Sequence, residues 1–369
     1  MNKNEIKICH ITSAHHDGDD RIFHKECVST AKAGYIVYEI VPSAKSRSEL
    51  GVNIIGIDNK TDSRWKRIIN TTHLVYRKAL SINADIYHFH DPEFLPFGLK
   101  LKNRGKKIIY DAHEDLPRQI ESKYWIKPIL RNLVAHIIEK YENSVVKKLD
   151  YIITATPYIR ERFVKINPNS VDINNFPLLQ EFTVSDWESK KLEVCYVGSI
   201  SEIRGISKII DAIQYTDDIK LHLAGAYSPE NYILTLKGKS GWQNVIEYGY
   251  VERRKVAEIY NQSIAGIVTI FPEPNYINSQ AVKMFEYMAA GIPVICSDFP
   301  LWKTIIEKNN CGICVDPLNP KEIADAIKFF VKNKKKAEEM GKNGRKAVEE
   351  KYNWAIEEKK LLKIYSKIV

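Results

Sequence analysis

Apolar and polar positions along the chain fall into two successive alternating series. In the first, short β-branched and aromatic runs occupy Lys7–Ser13, Ile36–Val41, Val52–Ile57, Asp85–Asp91, Lys107–Glu114 and Tyr151–Thr156. Between them, apolar residues recur at helical spacing, as in Ile22–Ala33 and Trp65–Ser81. A longer helical stretch, Tyr124–Leu149, interleaves Trp125, Ile126, Ile129, Leu130, Leu133, Val134 and Ile137 with basic residues that begin at Lys123. The period lapses over Asn174–Lys191. A second series then begins, with strands at Val194–Ile200, Leu221–Gly225, Val245–Val251, Gly266–Phe271, Val294–Ser297 and Gly312–Val315. Helices fit between these at Ser207–Tyr215, Val256–Asn261, Ser279–Ala290 and Lys321–Asn333, and the last stretch is charged and helical. Strand–helix alternation predicts parallel sheets covered by helices on both faces. At 369 residues the chain exceeds one typical core. The expectation is therefore an α/β protein with two doubly wound Rossmann-like domains facing each other across a cleft. Their expected bounds are 1–176 and 193–352, with a linker at 177–192 and a terminal helix at 353–369.

Composition narrows the class only slightly. Apolar residues make up 44% and charged residues 27%, ordinary for a globular protein. No apolar run reaches the ~20 residues that span a bilayer, and the N-terminus lacks the apolar core of a signal peptide, so a cytoplasmic location is expected. A net charge of +9 calls for an anionic partner without choosing among nucleic acid, lipid and phosphorylated metabolite. Nucleic acid is disfavoured, because no RNP-like aromatic motif or helix-turn-helix accompanies the charge. Walker A, G-x-G-x-x-G, G-x-S-x-G and H-E-x-x-H motifs are all missing, which removes the main support for ATPase, dehydrogenase, α/β-hydrolase and zincin readings. The lone Cys311-Gly312-Ile313-Cys314 has no second pair and reads as buried thiols rather than a zinc or redox site.

Polar residues gather where strands of the first series end. His90-Asp91 and His113-Glu114 close two of them, and the loop Ala14–Arg21 after the first strand is dense in His and Asp. The carboxyl edge of an open α/β sheet is its ligand edge, so these are candidate substrate contacts. The loop fits no EF-hand or zinc template. In the second series, Pro272 and Pro274 punctuate a loop, and Asn278 or Ser279 is the expected N-cap of a helix closed by Gly291. A helix start offers free N–H groups and partial positive charge to an anion or to sugar hydroxyls. Lys283 and Glu286 share a face three residues apart: a cation for phosphate and a carboxylate for a ribose diol, or a plain surface ion pair.

The wording of this segment resembles the nucleotide-sugar-binding motif of the retaining family-4 glycosyltransferases. Glu286-Tyr287-Met288-Ala289-Ala290-Gly291-Ile292-Pro293-Val294-Ile295 matches its ending throughout, while Asn278 stands where the motif has an earlier Glu. The resemblance covers nearly the whole chain and implies the GT-B fold, with the terminal helix from Trp354 crossing back onto the N-terminal domain. It implies that Gly198, with Arg204-Gly205 after it, forms a pyrophosphate-binding turn. The usual Arg directly after that glycine is replaced by Ser199, for which Lys283 compensates. It assigns Glu286 to the ribose and His113 to the transferred sugar near the reaction centre. Asn278, Ser279 and Gln280 hold sugar hydroxyls, and Tyr250 and Val251 lie near the base. The acceptor side comprises Asp20, Arg21, His90 and Glu114.

The implied chemistry is transfer with net retention from a nucleotide-diphosphate sugar, UDP-linked, to a glycan acceptor in cell-surface polysaccharide synthesis. The class is hexosyl or N-acetylhexosaminyl transfer, with no cofactor and no metal. Arg204 and Lys283 stabilise the departing diphosphate, and the acceptor hydroxyl attacks from the same face. Alternatives are a GT-B UDP-sugar epimerase and a catalytically silent sugar-nucleotide-binding subunit, the latter suggested by Asn278. Basic amphipathic material around Trp65-Lys66-Arg67 and Lys123–Arg131 further suggests a lipid-linked acceptor met at an anionic membrane face, with the protein peripheral there. The same stretch reads equally as an ordinary covering helix with solvated Lys and Arg stems.

Overall fold

The computed structural model describes residues 3–58, 64–121, 127–217 and 219–368. The chain divides into two compact units: Met1–Asn175 together with Ala355–Val369, and Phe176–Trp354.

In the first unit the strands are β1 (Lys7–Ile11), β2 (Ile36–Pro42), β3 (Arg47–Glu49), β4 (Val52–Ile57), β5 (Ile86–Phe89), β6 (Lys107–Ala112), β7 (Tyr151–Thr154) and β8 (Ser170–Asp172). They form one sheet in the order β3-β4-β2-β1-β5-β6-β7-β8. Every pairing is parallel except β3 with β4, a short exposed antiparallel edge that the hydrophobic pattern did not announce. β1 and β5 read as continuous apolar runs because helices cover both faces of a parallel sheet. The direction of strand addition reverses between β1 and β5, whose register pairs His10 with His88. A helix over Asp20–Cys27, wound with the wider π pitch and capped by the Asp19 carboxylate, follows β1. The terminal helix, Trp354–Ile368, buries Leu361, Ile364 and Tyr365, and its Glu357 accepts the Asn174 backbone N–H at 3.0 Å. The long basic stretch is helical over Pro128–Val146. Lys123, Tyr124, Trp125 and Ile126 lie outside the described residues, as do the side chains of Trp65, Lys66 and Arg67.

The second unit holds β9 (Val194–Val197), β10 (Leu221–Ala224), β11 (Val245–Gly249), β12 (Ala265–Val268), β13 (Val294–Ser297) and β14 (Gly312–Val315). Their order is β11-β10-β9-β12-β13-β14, all parallel, so the reversal falls between β9 and β12. The segment expected as a linker packs instead: Phe182 and Trp187 are buried in the cores of this unit. The expected Ser279–Ala290 helix is shorter, running Val282–Ala289, with Ala281 at its N-cap and no side-chain cap. A separate turn, Pro274–Ile277, precedes it and ends at Asn278. Pro274 favours a helical first turn there, and the Ser279 hydroxyl then donates to the Tyr276 carbonyl, closing that turn rather than opening the next. Met284, Phe285, Tyr287 and Met288 are fully buried, each contributing about 1.5–3 kcal/mol, so the helix start is firmly anchored. Cys311 is buried, and Cys314 faces Cys296 across β13–β14 at 3.7 Å between free thiols.

Candidate functional site

In an open α/β sheet, ligands bind beyond the carboxyl ends of the strands at the point where strand order reverses. Each unit has chemistry there.

In the second unit, β9 is followed by Gly198, whose φ of 136° suits glycine. A Cβ there would lie 2.2 Å from Cε and 2.7 Å from Nζ of Lys283, so the missing side chain is what lets the lysine lie across the turn. Gly205, with φ 74°, sits so close to the Thr269 carbonyl that a Cβ would approach it to 1.9 Å, which brings the Arg204 turn against the end of β12. The Arg204 guanidinium rests over the Tyr276 ring at 4.9 Å, and the Lys283 ammonium over the Tyr196 ring at 5.4 Å. Among the described residues, neither cation has a carboxylate ion-pair partner. Burial, followed by repulsion from Arg204, lowers the Lys283 pKa to about 8 against the opposing pull of Glu286. Two cations without a carboxylate partner, beside glycine-opened backbone at a strand-order reversal, could hold an anion. The Thr269 hydroxyl and Gln280 Oε1 are buried and lack hydrogen-bond partners.

Glu286 is buried, and its oxygens are engaged: Arg253 Nη1 donates to Oε1 at 2.8 Å and the Tyr260 hydroxyl to Oε2 at 3.0 Å. Each oxygen keeps a second lone pair. Arg253 is itself shared with Glu181. The Asn278–Gln280 segment is half-buried, and the Trp302 indole pins it by donating to the Ser279 carbonyl at 2.6 Å. Tyr250 follows β11 and is 82% exposed, while Val251 packs against the core.

In the first unit, Asp91 ties the ends of β1 and β5 together, accepting from the Thr12 hydroxyl at 2.8 Å and the Ser13 N–H at 2.6 Å. His15 bonds Asp19 at 3.0 Å and lies 3.6 Å from Asp91. Burial opposes its charge, but the two carboxylates outweigh this and raise its pKa. Its ring meets His113 edge-on at 5.0 Å. His113 Nε2 lies 3.1 Å from Asp111 Oδ2 and 3.2 Å from His90 Nδ1. With Nε2–H donated to the carboxylate, Nδ1 is left as an acceptor. Arg21, expected on an acceptor loop, is instead buried: it grips Asp111 through Nε and Nη2 at 3.0 and 2.9 Å and donates to the Ile173 carbonyl. Arg21 follows the Asp19 cap, so the π-wound helix carries it inward. Asp20 pairs with Lys25 at 2.7 Å, Glu114 is exposed and bonded to Gln119, and His90 is buried. Asp111 and Thr12 organise this edge together with Asp91 and were missed, because they sit within or just past apolar strands.

Residues 24–173 match the family described as Glycosyltransferase Family 4, and residues 180–347 match Glycosyl transferases group 1. This chain belongs to the family-4 glycosyltransferases.

The glycosyltransferase is 23% identical over 299 residues to the alpha-galactosylglucosyldiacylglycerol synthase of Streptococcus pneumoniae, across 71% of this chain and 76% of that one. Among solved structures it superposes on sucrose-phosphate synthase from Thermosynechococcus elongatus with a TM-score of 0.78, at 17% identity over 98% of both chains. Anabaena HepE, solved in complex with UDP and glucose, gives 0.72 at 13% identity, over 98% of this chain and 100% of that one. These likenesses establish the GT-B fold.

Proposed function

We propose that this glycosyltransferase moves a hexosyl or N-acetylhexosaminyl group, with retention, from a UDP-sugar to a lipid-linked glycan acceptor in cell-surface polysaccharide synthesis. The observation that carries the reading is the pair of unpaired cations, Arg204 and Lys283, beside Gly198. A leaving diphosphate gains negative charge as the glycosidic bond breaks, and preorganised cations stabilise it without reorganisation, so no resident metal is required. Glu286, oriented by Arg253 and Tyr260, is assigned to the ribose. His113, through Nδ1, accepts from a hydroxyl of the transferred sugar, while Asp111 fixes its tautomer. UDP is favoured as the nucleotide because Anabaena HepE binds it on the same fold.

The lipid-linked acceptor rests on the helix Pro128–Val146. Ile129 is 86% exposed, and Leu130, Leu133 and Ile137 are exposed near it, beside Lys127 and Lys140. An apolar stripe with basic flanks suits an anionic bilayer surface. The S. pneumoniae relative is named for a glycosylated diacylglycerol product. No helix among the described residues is long and apolar enough to cross a membrane, and the proposal places the protein at the cytoplasmic face as a peripheral enzyme.

The test is nucleotide release from a panel of UDP-sugars with and without a lipid-extract acceptor, with NMR of the product anomeric proton. Release that requires acceptor, with a retained anomeric configuration, is expected. Release without acceptor would favour the epimerase alternative. Tight donor binding with no turnover on any acceptor would favour the silent-subunit alternative raised by Asn278.

A further inference from the structure

Beneath the polar edge of the first unit lies a second cluster that sugar transfer leaves unused. His88 and His90 stand two residues apart on one face of β5 and its end, and His10 is the register partner of His88 on β1. The ring centroids lie 4.6 Å (His10–His88), 4.7 Å (His88–His90) and 5.3 Å (His10–His90) apart. Glu26, on the Asp20–Cys27 helix, points at them: Oε2 is 3.9 Å from His10 Nδ1 and 3.8 Å from His88 Nε2. His10 Nδ1 and His90 Nε2 are 3.1 Å apart, and one ligand atom from each of the four residues lies within 4.8 Å of the others. All four side chains are buried.

We propose that His10, Glu26, His88 and His90 form a closed structural site for one divalent transition-metal ion of the zinc type. A tetrahedral ion with arms of about 2.0–2.1 Å has ligand–ligand edges of about 3.3–3.4 Å, so the set need contract by only about 1 Å or less over most of its span. Two independent features point to a ligand. First, two of the ligand atoms, Glu26 Oε2 and His88 Nε2, are buried without a hydrogen-bond partner, as is the other Glu26 oxygen. Among the described residues, the cation that compensates Glu26 is Arg21, whose Nε is 3.1 Å away and whose guanidinium is already shared with Asp111. Second, the opposite ring nitrogens are furnished as outer-shell contacts of metal-bound histidines are. His88 Nδ1 lies 2.8 Å and His10 Nε2 3.1 Å from the Tyr365 hydroxyl. His90 Nδ1 lies 3.3 Å from Asp111. With the ion bound, the two ring N–H groups donate to the Tyr365 oxygen. Thr30, whose hydroxyl donates to the Glu26 carbonyl at 2.6 Å, also neighbours the Tyr365 hydroxyl. Four protein ligands leave no open position, so the ion holds β1, β5, the π-wound helix and the terminal helix together and does not touch substrate.

The experiment is metal analysis of the full chain purified without chelator, and again after refolding with Zn²⁺ or Co²⁺. One ion per chain is expected, with the intense visible bands of tetrahedral Co²⁺, bleached by one equivalent of Zn²⁺. Glu26→Gln and His88→Gln should lose stoichiometric binding. Tyr365→Phe, a mild change, should weaken Zn²⁺ about 10–100-fold while circular dichroism and UDP affinity stay unchanged. Trace metal in the wild type under all three conditions would overturn the proposal. So would undiminished occupancy in folded Glu26→Gln and His88→Gln.

Discussion

If Lys283 grips the diphosphate, nucleotide binding must be linked to its protonation. The free site holds the lysine pKa at about 8, through burial and then Arg204. A bound diphosphate places opposite charge beside the ammonium and raises that value. The protonated lysine is therefore the binding form: affinity is fully present below pH 8 and is lost as pH rises through it. At pH 7 about nine sites in ten are competent, and at pH 9 about one in eleven, so the dissociation constant for UDP should rise about tenfold, near 1.4 kcal/mol. Net proton uptake should climb from about 0.1 to about 0.9 per nucleotide over the same interval. Titration calorimetry in two buffers of different ionisation enthalpy measures both quantities. Lys283→Arg supplies the control, because it keeps the charge at every pH and shares any titration belonging to the nucleotide. A flat wild-type profile with no proton uptake would refute the reasoning, as would an equal slope in Lys283→Arg.

Three further outcomes are expected. Arg204→Ala should lower turnover about 10²-fold or more while changing UMP affinity much less, which kcat measured beside UMP titration will show. Glu286→Gln should raise the donor dissociation constant about tenfold or more with thermal stability near wild type, and unchanged calorimetry would remove it from the ribose. Replacing Ile129, Leu133 and Ile137 with Ser should abolish co-sedimentation with anionic vesicles and leave UDP affinity intact, and equal recovery on neutral and anionic lipid would remove the membrane from the acceptor proposal.

The two sheets were legible in the alternation of runs, because parallel strands buried on both faces are uninterrupted apolar segments. His90, His113 and Gly198 were legible too, since polarity or glycine at the end of such a run is locally conspicuous. His10, His88 and Asp111 were not. Each lies inside an apolar strand, and what gives it meaning is register: His10 meets His88 only because β1 pairs with β5, across 78 residues of sequence. Arg21 was misplaced for a related reason, since a charged residue after a loop looks exposed until its partner, Asp111, is found 90 positions away. The helix start near Asn278 was misjudged because the Ser279 hydroxyl closes the preceding Pro274–Ile277 turn instead of capping the helix that begins at Val282. Phe182 and Trp187 sit in a stretch without period, so their burial is a tertiary fact alone.

The division of the chain has a consequence for its birth on the ribosome. The first unit starts at the N-terminus yet includes Ala355–Val369, whose Leu361, Ile364 and Tyr365 fill its interior. Translation at about 5–20 residues per second separates Asn175 from those side chains by roughly 10–40 s. Throughout that interval Phe176–Trp354 can collapse onto its own core, while the older unit presents an unfilled apolar slot. The part made first is thus the part finished last, and a chaperone that shields that slot would have to leave before the final helix docks.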